Sequence, residues 1–532
     1  MIRQRVSGIE APLGRGSDEF LRKALARSLQ VRIEAIVDLA VVRRSLDARK
    51  GRREPVWTFV LDVGLAMRPR RIPKGVRLGP VPERRPRIAP TTGPFKGTSA
   101  VVVGTGPAGL FAALALAEGG ASVTVLEQGP CLEKRVVAVR DLWRSGALSP
   151  DANVQFGEGG AGTFSDGKLT TRIKDPLARE VLELFVEAGA PEAILETAHP
   201  HLGTDGVRAV VRHLRERVEG LGARFLFKEA LIGIRRSTRG WLIETASGQV
   251  LEAPLAFLAV GHSARPLFRK LLALGVPFRP KGFAVGVRVE HPQEWVDACQ
   301  YGAAAGHHDL PAAEYFLTYK DRPTGRGVYS FCMCPGGVVV NSASEPERLV
   351  TNGMSMSHRA SGRANAGIVV TVAPEDFGGE AEGGLAFQED LEKKGYEWGG
   401  GGYFAPAQSL QGFLEGRPDE AQPRTTFRPG TRPVNLRGFF PPWVEEPLLR
   451  AFRHFDEKMP GFIERGVLLA PETRTSGPLQ LCRAGDGSAE GFPGLYLAGE
   501  GSGWSGGIVS SAVDALRCVE TLAKSLPPTA RA

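Results

Sequence analysis

The chain has 532 residues, of which 42% are apolar and 23% charged, with a formal net charge of +9 and 67 glycines. That length exceeds one hydrophobic core and calls for two or three domains, and the composition excludes disordered, collagen-like and disulfide-stapled classes. No run approaches the ~18 uncharged apolar residues of a membrane span, and the opening MIRQRVSGIEAPL lacks the apolar stretch of a secretion signal. Six cysteines (Cys131, Cys299, Cys332, Cys334, Cys482, Cys518) show neither zinc spacing nor a secreted framework, so no metal site and a reducing, cytoplasmic setting are expected.

Residues 1–90 read as a separate α+β unit. A strand-like opening precedes an amphipathic helix over 18–30, and two strands follow over 33–46 and 55–63, joined by the charged turn DARKGRRE. Residues 68–97, rich in proline and arginine, read as an irregular linker. Much of the positive charge lies before residue 90. Without interleaved aromatic side chains those runs read as a solvated basic face rather than a nucleic-acid surface.

The segment SAVVVGTGPAGLFAALALAEGGASVTVLEQG, residues 99–129, carries the first chemical signal. A short apolar strand turns through Gly104, Gly106, Pro107, Ala108 and Gly109 into an Ala/Leu-rich helix, and a second strand ends on Glu127, beside Gln128. Gly104 permits the turn, Gly106 lets backbone approach a pyrophosphate, and Gly109 lets helix and strand pack closely. The helix N-terminus favours the phosphate charge, and Glu127 is placed to accept from both ribose hydroxyls. Arg135 lies eight residues further on, in reach of a cofactor phosphate or ribose.

A second glycine cluster follows in NVQFGEGGAGTFSDGKLTTRIKD. Its Gly157, Gly159 and Gly162 repeat the spacing, but no apolar helix follows, so close passage beside a flat ligand is the expected use of Gly159, Gly160 and Gly162. Two helices flank HPHLGTD, a β-meander covers about 223–253, and a buried strand ends at Gly261. This order suits a doubly wound, FAD-binding α/β domain over 98–275. Residues 276–467 read as an inserted β-rich substrate domain with glycine-rich loops, and 468–525 as a strand, turn and helix returning to the first domain.

That opening and close together resemble FAD-binding flavoproteins of the glutathione reductase superfamily. At finer grain the chain resembles an uncharacterised family of FAD-dependent dehydrogenases with a small N-terminal domain. The carrying strings are SLDARK (45–50), QFGEGGAGTFSDGKL (155–169), PHLGTD (200–205), GVRVEHPQ (286–293), SFCMCPGG (330–337), NGMSMSHR (352–359), GGGGYFAPAQ (399–408), ETRTSGP (472–478) and AGEGSGWSGGIVSSAVDALR (498–517). The resemblance implies that the acid of Ala498-Gly499-Glu500, a Glu where Asp is commoner, serves the ribityl chain. It also implies that the helix opening at Gly506-Gly507-Ile508 faces the flavin pyrimidine.

What the resemblance implies is hydride chemistry at flavin N5 on a small organic substrate. With one dinucleotide fingerprint, any NAD(P)H would act as a transient reductant visiting the flavin directly. Lys168 is then either a cation favouring the reduced, anionic flavin or a surface lysine. His201 and His262 are either acid–base groups or scaffold. Thr204 or Asp205 caps the following helix. Arg474 either holds an acidic substrate or pairs with Glu472. Cys332 and Cys334, on one strand face, are either buried thiols or a redox pair. One pocket lined by Lys168, His201 and Arg474 is expected, with Gly399–Gly402 as a moving lid. Two alternatives stand beside this reading: a flavoprotein binding RNA or a partner through its N-terminal domain, and an NAD(P)H-dependent flavin monooxygenase. The oligomeric state is open.

Overall fold

The computed structural model describes residues 1–49, 51–69, 72–82 and 93–526. Part of the expected 68–97 linker therefore lies outside the described residues. Within 1–82, strands Ile36–Asp47, Val56–Leu65, Ile2–Pro12 and Arg77–Gly79 form an antiparallel sheet in that order. Strict alternation makes the sheet: Trp57, Phe59, Leu61, Val63 and Leu65 all point inward. They pack against Leu21, Leu25 and Leu29 of helix Asp18–Leu29, a contact worth about 1.5–3 kcal/mol per fully buried side chain. Ser17 caps that helix by accepting from the Phe20 amide, and Gln30 ends it at φ 53°.

The second unit is a parallel sheet in the order Leu495–Leu497, Leu255–Leu258, Ser99–Val103, Ser122–Glu127, Arg224–Phe227. Helices Pro107–Glu118 and Ile508–Ser525 pack together on one face. A three-stranded meander covers the other through Ile234, Trp241 and Ile243. Apart from the edge strand Arg224–Phe227, the strands are largely buried on both faces, which is why they read as continuous apolar runs. This is an α/β, doubly wound arrangement.

The third unit is a seven-stranded sheet in the order Thr318–Lys320, Gly327–Cys334, Arg363–Val372, Phe283–Pro292, Val467–Glu472, Ala405–Ser409, Thr431–Pro433. One face, with Val285, Val287, Ile368 and Val370, buries Leu448, Phe452 and Phe455 of helix Pro442–Lys458. The opposite side of the same strands carries Gly286, Arg288, Asn365 and Gly367. Strand Val467–Glu472 is central to this sheet, so the expected boundary at 467 cuts an element, and the chain rejoins the parallel sheet only at Leu495. The string NGMSMSHR begins inside strand Thr351–Met354. Among the described residues no helix is long and apolar enough to cross a membrane.

Candidate functional site

The first glycine turn is fixed by sterics. Gly104 takes φ 101°, and a Cβ there would lie 2.4 Å from the Ala259 carbonyl oxygen; one on Gly109 would lie 1.9 Å from that of Gly104. Helix Pro107–Glu118 consequently starts at Gly106 with no side-chain cap, as helix Ile508–Ser525 does at Gly507, so both present unpaired N–H groups and positive dipole ends. The second glycine cluster lies directly on the first turn. The Gly159 amide donates to the Thr105 carbonyl at 3.1 Å, and the Gly106 and Gly160 backbones are in contact. A Cβ on Gly162 would lie 3.3 Å from Ile508 Cγ1, and one on Gly501 would lie 2.6 Å from the Gly261 carbonyl oxygen, so these segments approach closely. Gly261 and Gly506 border open space. Gly104, Gly106, Pro107, Ala108, Gly160, Gly162, Gly261, Gly499, Gly506, Gly507 and Ile508 are thus gathered around one cradle. Bare backbone and two helix N-termini suit the phosphates and the flat ring of a dinucleotide.

Two expected ligands are already engaged. The Glu127 carboxylate accepts from the Thr105 amide (3.1 Å) and hydroxyl (2.6 Å), the Gly129 amide (2.9 Å) and the Gly157 amide (3.1 Å). Those contacts occupy its lone pairs, so Glu127 ties three loops together instead of presenting a free carboxylate. Gln128 is half-buried on the turn that follows. Arg135 is fully buried, and its guanidinium donates to the carbonyls of Asn153, Val154, Gly157, Glu158 and Gly160 and to the Thr163 hydroxyl. All three of its nitrogens are spent on the second glycine loop, which corrects its assignment to the cofactor.

At the other end of the cradle, His262 Nδ1 lies 3.4 Å from Glu500 Oε2. Burial works against the Glu500 charge, but His262 and Lys281 outweigh it and hold the carboxyl below its ordinary range. Lys281 Nζ donates to Ser476 Oγ at 2.8 Å. Gly477 abuts His262 and the Glu500 backbone. From there an open recess of about 460 Å³ runs over the inserted sheet, lined by Ala284, Tyr329, Phe331, Thr371, Thr475 and Ser476.

Lys168 and His201 come together as backbone neighbours in an isolated antiparallel bridge. Lys168 Nζ donates to the Met333 carbonyl of the inserted sheet. Burial opposes its charge, but Glu314, Cys332 and Asp166 keep the ammonium above its ordinary range. Burial, then the Arg359 guanidinium, push the His201 imidazole below its ordinary range. His201 Nδ1 is buried with no hydrogen-bond partner among the described residues. Two groups unmarked in the sequence complete this corner: Asp166 accepts from Arg359 at 2.6 Å and from Ser355. Their only sequence signal was membership of the quoted strings, Asp166 in QFGEGGAGTFSDGKL and Arg359 in NGMSMSHR.

Arg474 does not join them. It is buried and donates to Glu392 at 3.0 and 2.9 Å and to Ser263 and Ser344. Arg265 grips the same Glu392 at 2.7 and 2.8 Å. Glu472 pairs instead with Arg288, at 2.6 Å. Arg474 is therefore neither a free anion-binding group nor the partner of Glu472; it locks the inserted unit to the parallel-sheet unit. Asp205 does not cap its helix but accepts from Ser357, and Thr204 donates to the Ser165 carbonyl. Gly399–Gly402 form a turn packed on Gly146, at the end of helix Leu132–Ser145, instead of a lid over the recess.

The comparisons with known proteins agree with the cradle. A family model described as "FAD binding domain" matches residues 99–137, and "FAD-dependent protein, C-terminal domain-like" matches 282–475. A domain of unknown function (DUF8436) matches 3–62. An uncharacterised protein of Clostridium beijerinckii is 40% identical over 508 residues, covering 94% of this chain and 95% of that one. Among solved structures, CtdE in complex with FAD is 11% identical, covering 81% of this chain and 84% of its own, at a TM-score of 0.32. A mutant of the halogenase PltM in complex with FAD is 11% identical, covering 80% and 70%, at 0.38. Likenesses that weak add nothing to the sheet order itself. The chain belongs to one family with the Clostridium beijerinckii protein, to which it is similar along nearly its whole length; its own matches are to FAD-dependent protein models, and FAD is its cofactor.

Proposed function

We propose that the protein is an FAD-dependent oxidoreductase acting on a small organic substrate seated in the recess over the inserted sheet. The carrying observation is continuity: the recess ends at Thr475 and Ser476, and the next residue, Gly477, abuts His262 and Glu500 of the cradle. When bound, FAD supplies two-electron hydride chemistry at N5, and the chain supplies orientation and electrostatics. In this reading the Gly106 and Gly507 helix ends hold the phosphates and the pyrimidine, and Glu500 serves the ribityl hydroxyls. Tyr329 and Phe331 exclude water from the recess. His201, neutral with an open Nδ1, takes or returns a proton, and Lys168 holds a positive charge nearby.

The basic N-terminal unit does not favour a nucleic-acid reading. Arg5 pairs with Asp62, Arg52 with Glu10 and Asp47, and Arg44 with Asp309. The test is anaerobic stopped-flow reduction of the purified holoprotein by NADH and by NADPH, followed by a metabolite screen for reoxidation. Reoxidation by one compound class supports the proposal. A flavin that no donor reduces and no organic acceptor reoxidises overturns it.

A further inference from the structure

Strand Gly327–Cys334 does not end regularly. It pairs with Arg363–Val372 at Phe331↔Gly367 and next at Cys334↔Asn365, so three residue steps oppose two. Inside that bulge Cys332 takes φ 41°, a left-handed conformation uncommon for a side chain of this kind and a pointer to function. On a regular strand, thiols two residues apart stand side by side without touching. Here the kink folds the Cys334 side chain back on Cys332: Cys334 Sγ donates to the Cys332 carbonyl at 3.3 Å.

Cations clamp the bulge from two sides. Arg288 Nη1, from strand Phe283–Pro292, donates to the Cys332 carbonyl at 2.9 Å, and Lys168, from the second glycine loop, donates to that of Met333. The acids facing this corner are engaged: Glu472 with Arg288, and Asp166 and Glu314 with Arg359. The two thiols differ accordingly. The Cys334 hydrogen bond, opposed by burial and helped by Lys168 and Arg288, brings the Cys332 thiol down to about 7. The Cys332 contact and burial push Cys334 well up. Cys332 is half-buried, whereas Cys334 is fully buried, its Sγ 2.8 Å from where a Cβ on Gly353 would stand.

We propose that Cys332 and Cys334 form a two-electron dithiol–disulfide couple that reduces a small hydroperoxide, with Cys332 as the attacking thiolate and Cys334 as the resolving thiol. The Cys332 thiolate attacks one peroxide oxygen; the S–O bond forms, the O–O bond breaks, and the leaving oxyanion takes a proton and departs as an alcohol or water. Cys334 sulfur then attacks Cys332 sulfur; the S–S bond forms, the S–O bond breaks, and water leaves with the Cys334 proton. In sum, two thiols and one hydroperoxide give one disulfide, one alcohol and one water. The half-buried position of Cys332 restricts the oxidant to a small molecule, and the flanking cations suit both the thiolate and the departing oxyanion. The new ring contains the Met333 peptide, whose carbonyl holds Lys168, so the thiol state is read at the corner that also carries His201.

The experiment uses the full-length holoprotein, with hydrogen peroxide as oxidant and iodoacetamide as thiol probe. One tryptic peptide, 327–348, carries both thiols and no other cysteine. Cys332 is expected to alkylate about fivefold faster than Cys482 at pH 6.5, with a pH midpoint near 7. Peroxide should remove two hydrogens from peptide 327–348, reversibly with dithiothreitol. Cys334→Ser should trap a dimedone-reactive sulfenic acid on Cys332, and Cys332→Ser should leave Cys334 unreacted. The wild-type alkylation profile needs no variant, so it decides the matter even if a substitution unfolds the chain. Cys332 reacting no faster than Cys482, or peptide 327–348 passing to sulfinic acid without a disulfide, overturns the couple.

Discussion

Lys168 and His201 face each other across an antiparallel bridge, and the next amide, of Leu169, donates to the Pro200 carbonyl at 2.9 Å. This contact joins the second glycine loop, which lies on the phosphate turn, to the loop that opens helix Gly203–Gly220. A cation and a neutral imidazole are thereby fixed on one backbone frame, and Lys168 extends that frame to the inserted sheet.

His201→Ala is expected to leave FAD content unchanged and to slow turnover about 10²–10⁴-fold if the imidazole moves a proton. Burial and Arg359 depress its titration, so the neutral form persists below pH 6.5 and the acid limb of the wild-type profile should lie below that value. The measurement is the pH–rate profile of both proteins on the substrate found by screening. An unchanged rate for the variant removes His201 from the chemistry.

Glu127→Ala leaves three backbone amides, of Thr105, Gly129 and Gly157, without their acceptor. At about 1–3 kcal/mol for each buried group left unpaired, the expected loss is several kcal/mol of stability along with FAD affinity. Gel filtration for cofactor retention and a thermal melt of the apoprotein separate the two roles. Loss of FAD with an unchanged apoprotein melt would mean that Glu127 serves the ribose alone.

The backbone of the cradle was legible because Gly-x-Gly-x-x-Gly between a strand and a helix reports a local steric requirement, and local requirements survive in sequence. Arg135 and Arg474 were not, because a guanidinium has the same letter whether it meets a phosphate or six protein oxygens. Only the fold brings Asn153 to Gly160 around one and Glu392 against the other. The inserted sheet was misjudged at its end for a related reason. Val467–Glu472 is apolar enough for either sheet, and its partners, Phe283–Pro292 and Ala405–Ser409, are distant in the chain.

Arg474→Met should therefore behave as a packing lesion. It leaves Glu392 buried with Arg265 as its remaining full partner, and removing one side of a buried ion pair costs about 3 kcal/mol or more. The thermal midpoint of the holoprotein is expected to fall. A variant that melts like the wild type while its KM for an acidic substrate rises would restore Arg474 as a substrate ligand.

His291 gives an acid-stability prediction. It is fully buried, its ring 4.7 Å from Trp295 and 4.5 Å from Phe462, with Nε2 2.9 Å from the Phe462 carbonyl and Nδ1 unpartnered among the described residues. Burial takes its titration down to about 4. With the folded value below the unfolded one, unfolding takes up a proton; stability is intact above pH 6.5 and is lost as pH falls toward 4. The loss is about 2 kcal/mol at pH 5. His291→Gln, which retains a donor for Phe462, should lose less between pH 7.5 and pH 5 than the wild type. Equal losses in the two proteins would assign the acid sensitivity elsewhere.

The last prediction concerns the N-terminal unit, whose docking is specific. Arg44 exchanges backbone hydrogen bonds with Glu196 and Ala198, at 2.6 and 2.9 Å, three residues before His201. Asp309 of the inserted unit accepts from the Gly14 amide at 2.8 Å and Trp57 Nε1 at 2.7 Å, and pairs with Arg44. None of these contacts touches the glycine cradle, so a chain starting at residue 93 should still bind FAD. Segment 192–201 would lose its added strand partner, and its amides should exchange faster with deuterium. Asp309→Ala in the full chain is the milder version. It removes the three contacts of the Asp309 carboxylate but leaves the Arg44 backbone pair, so exchange should rise at 14 and 57 and only weakly at 196–198. A truncated chain that folds but takes up no FAD would tie the N-terminal unit to the cofactor site, and unchanged exchange over 192–201 would mean that this unit does not support the loop carrying His201.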